Sequence, residues 1–135
     1  MAESTTTLYR PVGPKELDLI RQSGFKEFPP RLPEQPLFYP VLNREYAEQI
    51  ARDWNAKDPT ANYSGFVTRF EVRTEYLSQF KPRQVGAAIH MEYWVPAEEL
   101  INFNRNIVGT IQVVTEFHGQ SGDGLGGEAR RPTTG

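Results

Sequence analysis

Short runs of apolar residues alternate with polar ones along the first part of the chain. Leu8, Tyr9 and Arg10 (residues 8–10) predict a short first strand. A helix is then predicted over residues 14–24, because Leu17 and Ile20 lie on one helical face. A proline at position 14 suits the first turn of a helix, and a glycine at position 24 suits its end.

A second helix is indicated behind Asn43, which is a good residue for capping a helix N-terminus. Tyr46, Ile50 and Trp54 follow at spacings of four residues, which places them on one stripe of that helix. We expect this stripe to be buried, with Trp54 in the core. The polar residues 55–64 predict a loop.

Three later runs predict strands, at residues 65–72, 87–95 and 107–117. Each combines β-branched or aromatic residues with an alternation of period two. A proline at position 96 predicts the start of a short helix between the last two strands. Residues 25–40 contain five prolines, which exclude a helix or a central strand there and predict a loop.

These elements predict a small α+β domain with short, mostly antiparallel strands and two or three helices. The domain is expected to span residues 1–117. Residues 118–135 hold six of the eleven glycines and few apolar side chains, so we expect a flexible tail. Gly122, Gly124 and Gly127 form a GxGxxG pattern there, but no amphipathic helix follows, as a dinucleotide site would require.

Composition narrows the functional classes. The chain of 135 residues has no cysteine and a net charge of −2, which excludes disulfides and thiolate metal sites and argues against nucleic-acid or membrane binding. The sequence shows no long apolar run and no signal pattern at its start. We therefore expect a cytoplasmic protein.

Common catalytic motifs are absent from the sequence. The two histidines, His90 and His118, lie far apart in the chain, and no further ligand cluster accompanies them, so no metal site is expected. Gly119–Asp123 resembles a serine nucleophile elbow, but it ends in aspartate and lies in the tail. No phosphate-binding P-loop is present either.

The strand over residues 87–95 carries the most informative side chains. Its alternation assigns His90, Glu92 and Trp94 to the face opposite the apolar one. An imidazole, a carboxylate and an indole on one face indicate the wall of a cleft. The alternative is an edge strand or a surface covered by a partner, with Glu92 paired to an arginine.

The order of these motifs resembles small members of the ADP-ribosyltransferase fold, the NAD-using, toxin-like superfamily. The resemblance spans about residues 8–117 and rests on short motifs in a fixed order. These are Leu8-Tyr9-Arg10, Phe38-Tyr39-Pro40, the helix from Tyr46 to Ala51, Gly65 to Phe70, and His90-x-Glu92-Tyr-Trp-Val-Pro. The chain is also similar to short bacterial proteins labelled ADP-ribosylation/crystallin-J1-like.

The resemblance implies a role for each of five residues. Arg10 would contact a phosphate or ribose of NAD, Tyr39 would line the nicotinamide pocket, and Glu92 would be the catalytic carboxylate. Trp94 would add an aromatic wall to the NAD site. His90, counted with Glu92 as catalytic, stands where the family often has glutamine or glutamate.

Two functions from different classes remain open from the sequence. The first is an NAD-dependent ADP-ribosyltransferase that acts on a macromolecular target, with NAD as its substrate. The second is a non-catalytic protein-interaction module on the same small fold, for which the aromatic and proline-rich residues 25–40 would suit a partner surface. A weaker third option is a small-molecule enzyme that uses His90 and Glu92 as an acid–base pair.

Overall fold

A computed structural model describes residues 4–119 as four α-helices and seven strands, most of them short. In chain order these elements are β1 (Thr5–Val12), α1 (Pro14–Gln22), β2 (Leu37–Phe38), α2 (Arg44–Asp53), β3 (Ser64–Arg73), α3 (Thr74–Leu77), β4 (Arg83–Gln84), β5 (Met91–Glu92), β6 (Val95–Pro96), α4 (Leu100–Arg105) and β7 (Ile107–His118). Single 3₁₀ turns at Asn55–Lys57, Pro59–Ala61 and Ala97–Glu99 connect some of them. The mixed, antiparallel α+β architecture agrees with the prediction from sequence. Two or three helices were predicted and four are present, the shortest of which is α3.

The centre of the fold is an antiparallel sheet in the order β1-β3-β7. The outer edge of β1 is also paired, because Tyr9 and Val41 exchange backbone hydrogen bonds of 2.9 and 2.8 Å. Val41 in turn forms a bridge to Glu92 in β5, and β5 pairs with β4. A separate two-stranded sheet joins β2 to β6.

Apolar side chains cover both faces of the sheet. The larger cluster contains four phenylalanines in mutual contact with strand residues and with α1 and α4. The smaller cluster lies on the opposite face, where Ala47 and Ala51 of α2 pack with Val41 and Val67. The sheet is therefore buried between two layers of chain, as the pattern of a small α+β domain predicts.

Both predicted helices in the first half of the chain are confirmed. Pro14 is the first residue of α1, which ends at Gln22, and Gly24 takes a left-handed φ of 76° just beyond it. This conformation costs glycine least. In α2, the Asn43 side chain accepts a hydrogen bond of 3.2 Å from the Tyr46 backbone N–H, which satisfies one of the free donors at the helix start.

The prediction that Trp54 belongs to the core is wrong, because its side chain is 73% exposed. The helix ends at Asp53 and Trp54 follows as its C-terminal cap. The reason is the close approach of α2 to β3 at Gly65, where a Cβ would lie 2.5 Å from the Ala51 carbonyl oxygen. The face of α2 that packs there carries Ala47 and Ala51, which lie one position along the helix from the predicted stripe. The stripe that ends at Trp54 is therefore turned to the side.

The predicted strand over residues 87–95 is also wrong as a continuous element. Residues Met91–Glu92 pair with β4, whereas Val95–Pro96 pair with β2 in the other sheet. A turn closed by the His90 N–H on the Ala87 carbonyl precedes them. The segment changes partners midway, so strict alternation fails and Glu92 is buried at 9% exposure next to buried Tyr93. Pro96 ends β6 and precedes the 3₁₀ turn Ala97–Glu99, which leads directly into α4, so the predicted short helix is present but begins after Pro96.

The last strand reaches one residue past the predicted domain limit. His118 is its final residue and pairs with Ser64, so His118 does not begin the tail. The rest of the predicted tail, residues 120–135, lies outside the described residues, as do the glycines of the GxGxxG pattern. Within residues 4–119, no helix is long and apolar enough to cross a membrane.

The contact at Gly65 yields a stability prediction. Gly65→Ala should destabilise the protein by about 1–3 kcal/mol, because the added methyl group meets backbone atoms of α2 that cannot move independently. Gly13→Ala is the matched control: its Cβ would meet only ordinary contacts at 3.6 Å, and its stability should change by less than about 1 kcal/mol. Thermal unfolding of both variants checks this, and equal midpoints would contradict the packing described.

Candidate functional site

One pocket brings together residues that are distant in sequence. It has a volume of about 470 Å³ and lies between β1, the end of α2 and the segment around β5 and β6. Four of the five residues predicted from sequence line it, namely Arg10, Tyr39, Glu92 and Trp94. His90 does not line it. This volume falls within the range of small-molecule sites in proteins.

Backbone pairing explains why these residues meet. Val41 hydrogen-bonds to Tyr9 on one side and forms a bridge to Glu92 on the other. Tyr93 adds a backbone bond of 2.9 Å from its N–H to the Pro40 carbonyl. The segment after Tyr39 therefore lies between β1 and β5, and it brings Arg10 and Glu92 to the same pocket.

The Glu92 carboxylate is held by two donors. The Tyr46 hydroxyl donates to Oε1 at 2.9 Å, and the Trp94 indole Nε1–H donates to Oε2 at 2.7 Å. Each oxygen accepts one bond, a pattern that an ionised carboxylate satisfies. Because Glu92 is buried, these bonds offset part of the cost of removing its charge from water. The carboxylate is thus fixed in position before any ligand binds.

Tyr46 responds to the charge beside it. Burial, together with the hydrogen bond to Glu92 and the negative charge of that carboxylate, raises the pKa of Tyr46 to about 12. All three causes disfavour a second negative charge next to the first. Tyr46 therefore acts as a neutral hydrogen-bond donor over the whole physiological range.

His90 supports Tyr46 from behind instead of entering the pocket. The two rings stack with centroids 4.5 Å apart and an interplanar angle of 27°. Nδ1 of His90 accepts the Ala87 N–H at 3.2 Å, and Nε2 lies 3.1 Å from the Gln49 carbonyl oxygen Oε1. These partners assign the proton to Nε2. The geometry gives His90 a positioning role toward Tyr46, which differs from the catalytic role expected from sequence.

Arg10 lines the pocket with its charge already paired. Its Nε and Nη2 donate to the two carboxylate oxygens of Glu16 at 2.7 and 2.9 Å, and its Cζ lies 4.6 Å from the ring centre of Phe38. Nη1 has only a long contact of 3.5 Å to the Tyr39 carbonyl. The guanidinium is therefore rigidly held, with its Nη1 edge the least satisfied.

Arg31 is a second cation in this region that the sequence did not single out. Its Nε donates to the Leu37 carbonyl at 3.0 Å. Burial and the positive charge of Arg10 lower the pKa of Arg31, while the negative charge of Glu16 acts in the opposite direction. Arg10, Arg31 and Glu16 together therefore carry one net positive charge.

Aromatic side chains form the rest of the pocket wall. Tyr39 and Trp94 meet edge to face with centroids 6.3 Å apart at 87°, and the Arg83 guanidinium stacks on Trp94 at 4.2 Å. Trp54 and Ile50 line the pocket from α2. The helical stripe predicted from sequence is therefore real, but its Trp54 end borders this pocket and not the core.

In the described part of the chain, no group of three histidine, aspartate or glutamate side chains could hold a metal ion. His118 contacts Ser64 and Glu116 at the far end of the sheet. It lines a separate pocket of about 440 Å³ with Arg52, Lys57 and Tyr63. None of the five predicted site residues lines that pocket.

Comparison with protein-family models, curated proteins and solved structures finds no match for this chain. The resemblance to the ADP-ribosyltransferase fold therefore stays an expectation from the sequence. What the chain does must be argued from the pocket itself: its buried carboxylate, its aromatic walls and the guanidinium group of Arg10.

The raised pKa of Tyr46 predicts a pH effect on stability. The ordinary pKa of an unfolded tyrosine is 10.0, but the pKa of Tyr46 in the folded protein is raised to about 12. Its contribution to stability should thus be complete below pH 10 and be lost as the pH rises toward 12. Urea unfolding between pH 8 and 11.5 should show a shallower decline for Tyr46→Phe than for the unaltered protein; parallel curves would contradict the assignment.

Proposed function

We propose that the protein binds NAD in this pocket and transfers its ADP-ribosyl group to a macromolecular acceptor. The observation that carries the proposal is the meeting of Arg10, Tyr39, Glu92 and Trp94 at one pocket. The sequence resemblance assigns these residues, apart from the added aromatic wall of Trp94, to the same reaction. Three independent segments of the chain supply them.

Glu92 supplies the negative charge that the reaction needs. When the bond between nicotinamide and ribose breaks, nicotinamide leaves with the bonding electrons and positive charge develops on the ribose. A fixed carboxylate beside the ribose lowers the energy of that state. The hydrogen bonds from Tyr46 and Trp94 hold Glu92 in one orientation, so little reorganisation is needed during the reaction.

Arg10 and Arg31 supply the positive charge for the phosphates. Glu16 binds Arg10, and the nearby charge of Arg31 leaves this group of three side chains with one net positive charge. A guanidinium group recognises phosphate oxygens through parallel hydrogen bonds. Arg10 has the Nη1 edge available for this contact, and Arg31 adds to the field.

The acceptor supplies the atom that replaces nicotinamide on the ribose. A nucleophilic oxygen or nitrogen of the acceptor forms the new bond to the ribose carbon and loses its proton, while neutral nicotinamide departs. Trp54, exposed at the pocket, marks an open side through which a macromolecular side chain reaches the ribose. In this scheme His90 acts on the reaction only by holding Tyr46.

A non-catalytic interaction module is the second candidate. It is favoured by large apolar side chains left in solvent, including Leu32 on the proline-rich loop, Trp54 and Ile101. Exposed apolar groups mark partner surfaces when they are contiguous. This candidate requires no contact between Glu92 and a dinucleotide, so NAD titration separates the two.

The Glu92→Gln substitution tests the catalytic claim. We expect the rate of nicotinamide release from NAD to fall by about 10²–10³-fold, because the amide has the shape of the acid without its charge. NAD affinity from calorimetry should change much less. A protein that binds no NAD at millimolar concentration, or a variant that releases nicotinamide at the original rate, would contradict the proposal.

Arg31→Ala tests the phosphate contact with less risk to folding than a change at the buried Arg10. Loss of one positive charge near the phosphates should weaken NAD binding by about tenfold. Arg21→Ala is the matched control, because Arg21 is exposed on α1 and pairs only with Asp18 there. Equal NAD affinities for the two variants would show that the charge of Arg31 does not contribute to binding of the dinucleotide.

A further inference from the structure

Trp54 is a large aromatic side chain that the fold leaves in solvent beside the pocket. Tryptophan is among the most buried residue types on average, yet this one is 73% exposed. Its backbone is fixed, because its N–H donates to the Ile50 carbonyl at 2.9 Å. It lines the pocket from the end of α2. An aromatic ring kept in solvent at the rim of a pocket, on a fixed backbone, is suited to contact a ligand.

The chemistry around Trp54 favours a cation as that ligand. Two more aromatic rings, Tyr39 and Trp94, line the same pocket, and the buried Glu92 carboxylate lies among them. Aromatic faces attract cations through their quadrupoles, most strongly in the case of tryptophan. The positive charge of Arg10, which also lines the pocket, is offset by Glu16 at 2.7 and 2.9 Å.

Trp94 is held ready for such a contact. Its indole N–H donates to Glu92 at 2.7 Å, and its ring lies perpendicular to that of Tyr39. The Arg83 guanidinium lies over the ring at 4.2 Å from its centre. Three contacts on one side chain remove most of its rotamer freedom in advance, which lowers the entropy cost of binding. The stacked Arg83 shows that this ring accepts a planar cation on its face.

We propose that Trp54, Tyr39, Trp94 and Glu92 form a box that selects a planar organic cation, of the N-alkylpyridinium class, over its neutral counterpart. The inference rests on the proposed function, since it concerns the same pocket and would make Trp54 the residue that discriminates the charged ring. Its test reads the binding of a small cation and does not depend on NAD cleavage.

The experiment compares two probes of the same ring system. 1-Methylnicotinamide carries the positive charge and nicotinamide lacks it. The chain has two tryptophans, and both line the pocket, so their indole N–H signals in ¹H–¹⁵N spectra report on binding directly. We expect the cation to shift both signals in a saturable manner, and nicotinamide to bind at least about tenfold more weakly.

Three variants locate the effect. Trp54→Ala should weaken binding of the cation at least about fivefold without loss of folding, since the side chain is mostly exposed. Ile101→Ala, which removes another large side chain that is mostly exposed (65%) and lies outside this pocket, should leave binding of the cation unchanged. Glu92→Gln should remove the preference for the charged probe.

Equal affinity for the two probes, no shift of either indole signal, or undiminished binding by Trp54→Ala would overturn the inference. Nicotinamide release from NAD, measured in parallel, separates this result from the proposed function. Selective binding of the cation without NAD cleavage would support the box and reject the transferase. NAD cleavage without preference for the cation would support the transferase and reject the box.

Discussion

Val41 is the residue on which the arrangement of the pocket depends. It pairs with Tyr9 through two backbone hydrogen bonds and bridges to Glu92 on its other side. The residue that directly follows the proline-rich loop thereby joins the central sheet to the segment that carries the carboxylate of Glu92. Backbone bonds of this kind are largely independent of side-chain identity. The pocket is thus set by the sheet itself, and its side chains determine what it binds.

Burial of the Glu92 carboxylate lowers the stability of the folded protein. A charge placed at the position of Glu92 loses much of its hydration, and the neighbouring hydroxyl and indole donors restore only part of it. Tyr46 is itself braced by the His90 ring. Such layered support is typical of a group that must keep one orientation, and it is more than packing alone requires.

The sequence predicted those elements whose causes are local. The cap at Asn43, the proline at the start of α1 and the long strands β3 and β7 all follow from propensity and period. Arg10, Tyr39, Glu92 and Trp94 were predicted as site residues, and the structure brings them to one pocket. Whether they act on NAD stays a prediction.

What the sequence could not predict depends on contacts between distant segments. The face of α2 that packs at Gly65 carries small side chains, so Trp54 faces the pocket although its helical spacing indicated burial. The exchange of partners between β5 and β6 broke an alternation that looked continuous. Arg31 and Glu16 were not predicted as site residues, because their importance depends on the charge of Arg10, which only folding brings near them.

The most direct test of the account is a crystal structure of the Glu92→Gln variant with NAD. The variant keeps the shape of the site and should slow cleavage enough to trap the intact dinucleotide. The account predicts the nicotinamide ring among Tyr39, Trp54 and Trp94, the ribose beside residue 92, and a phosphate near Arg10. NAD bound at another surface, or a pocket that stays empty at saturating NAD, would contradict it.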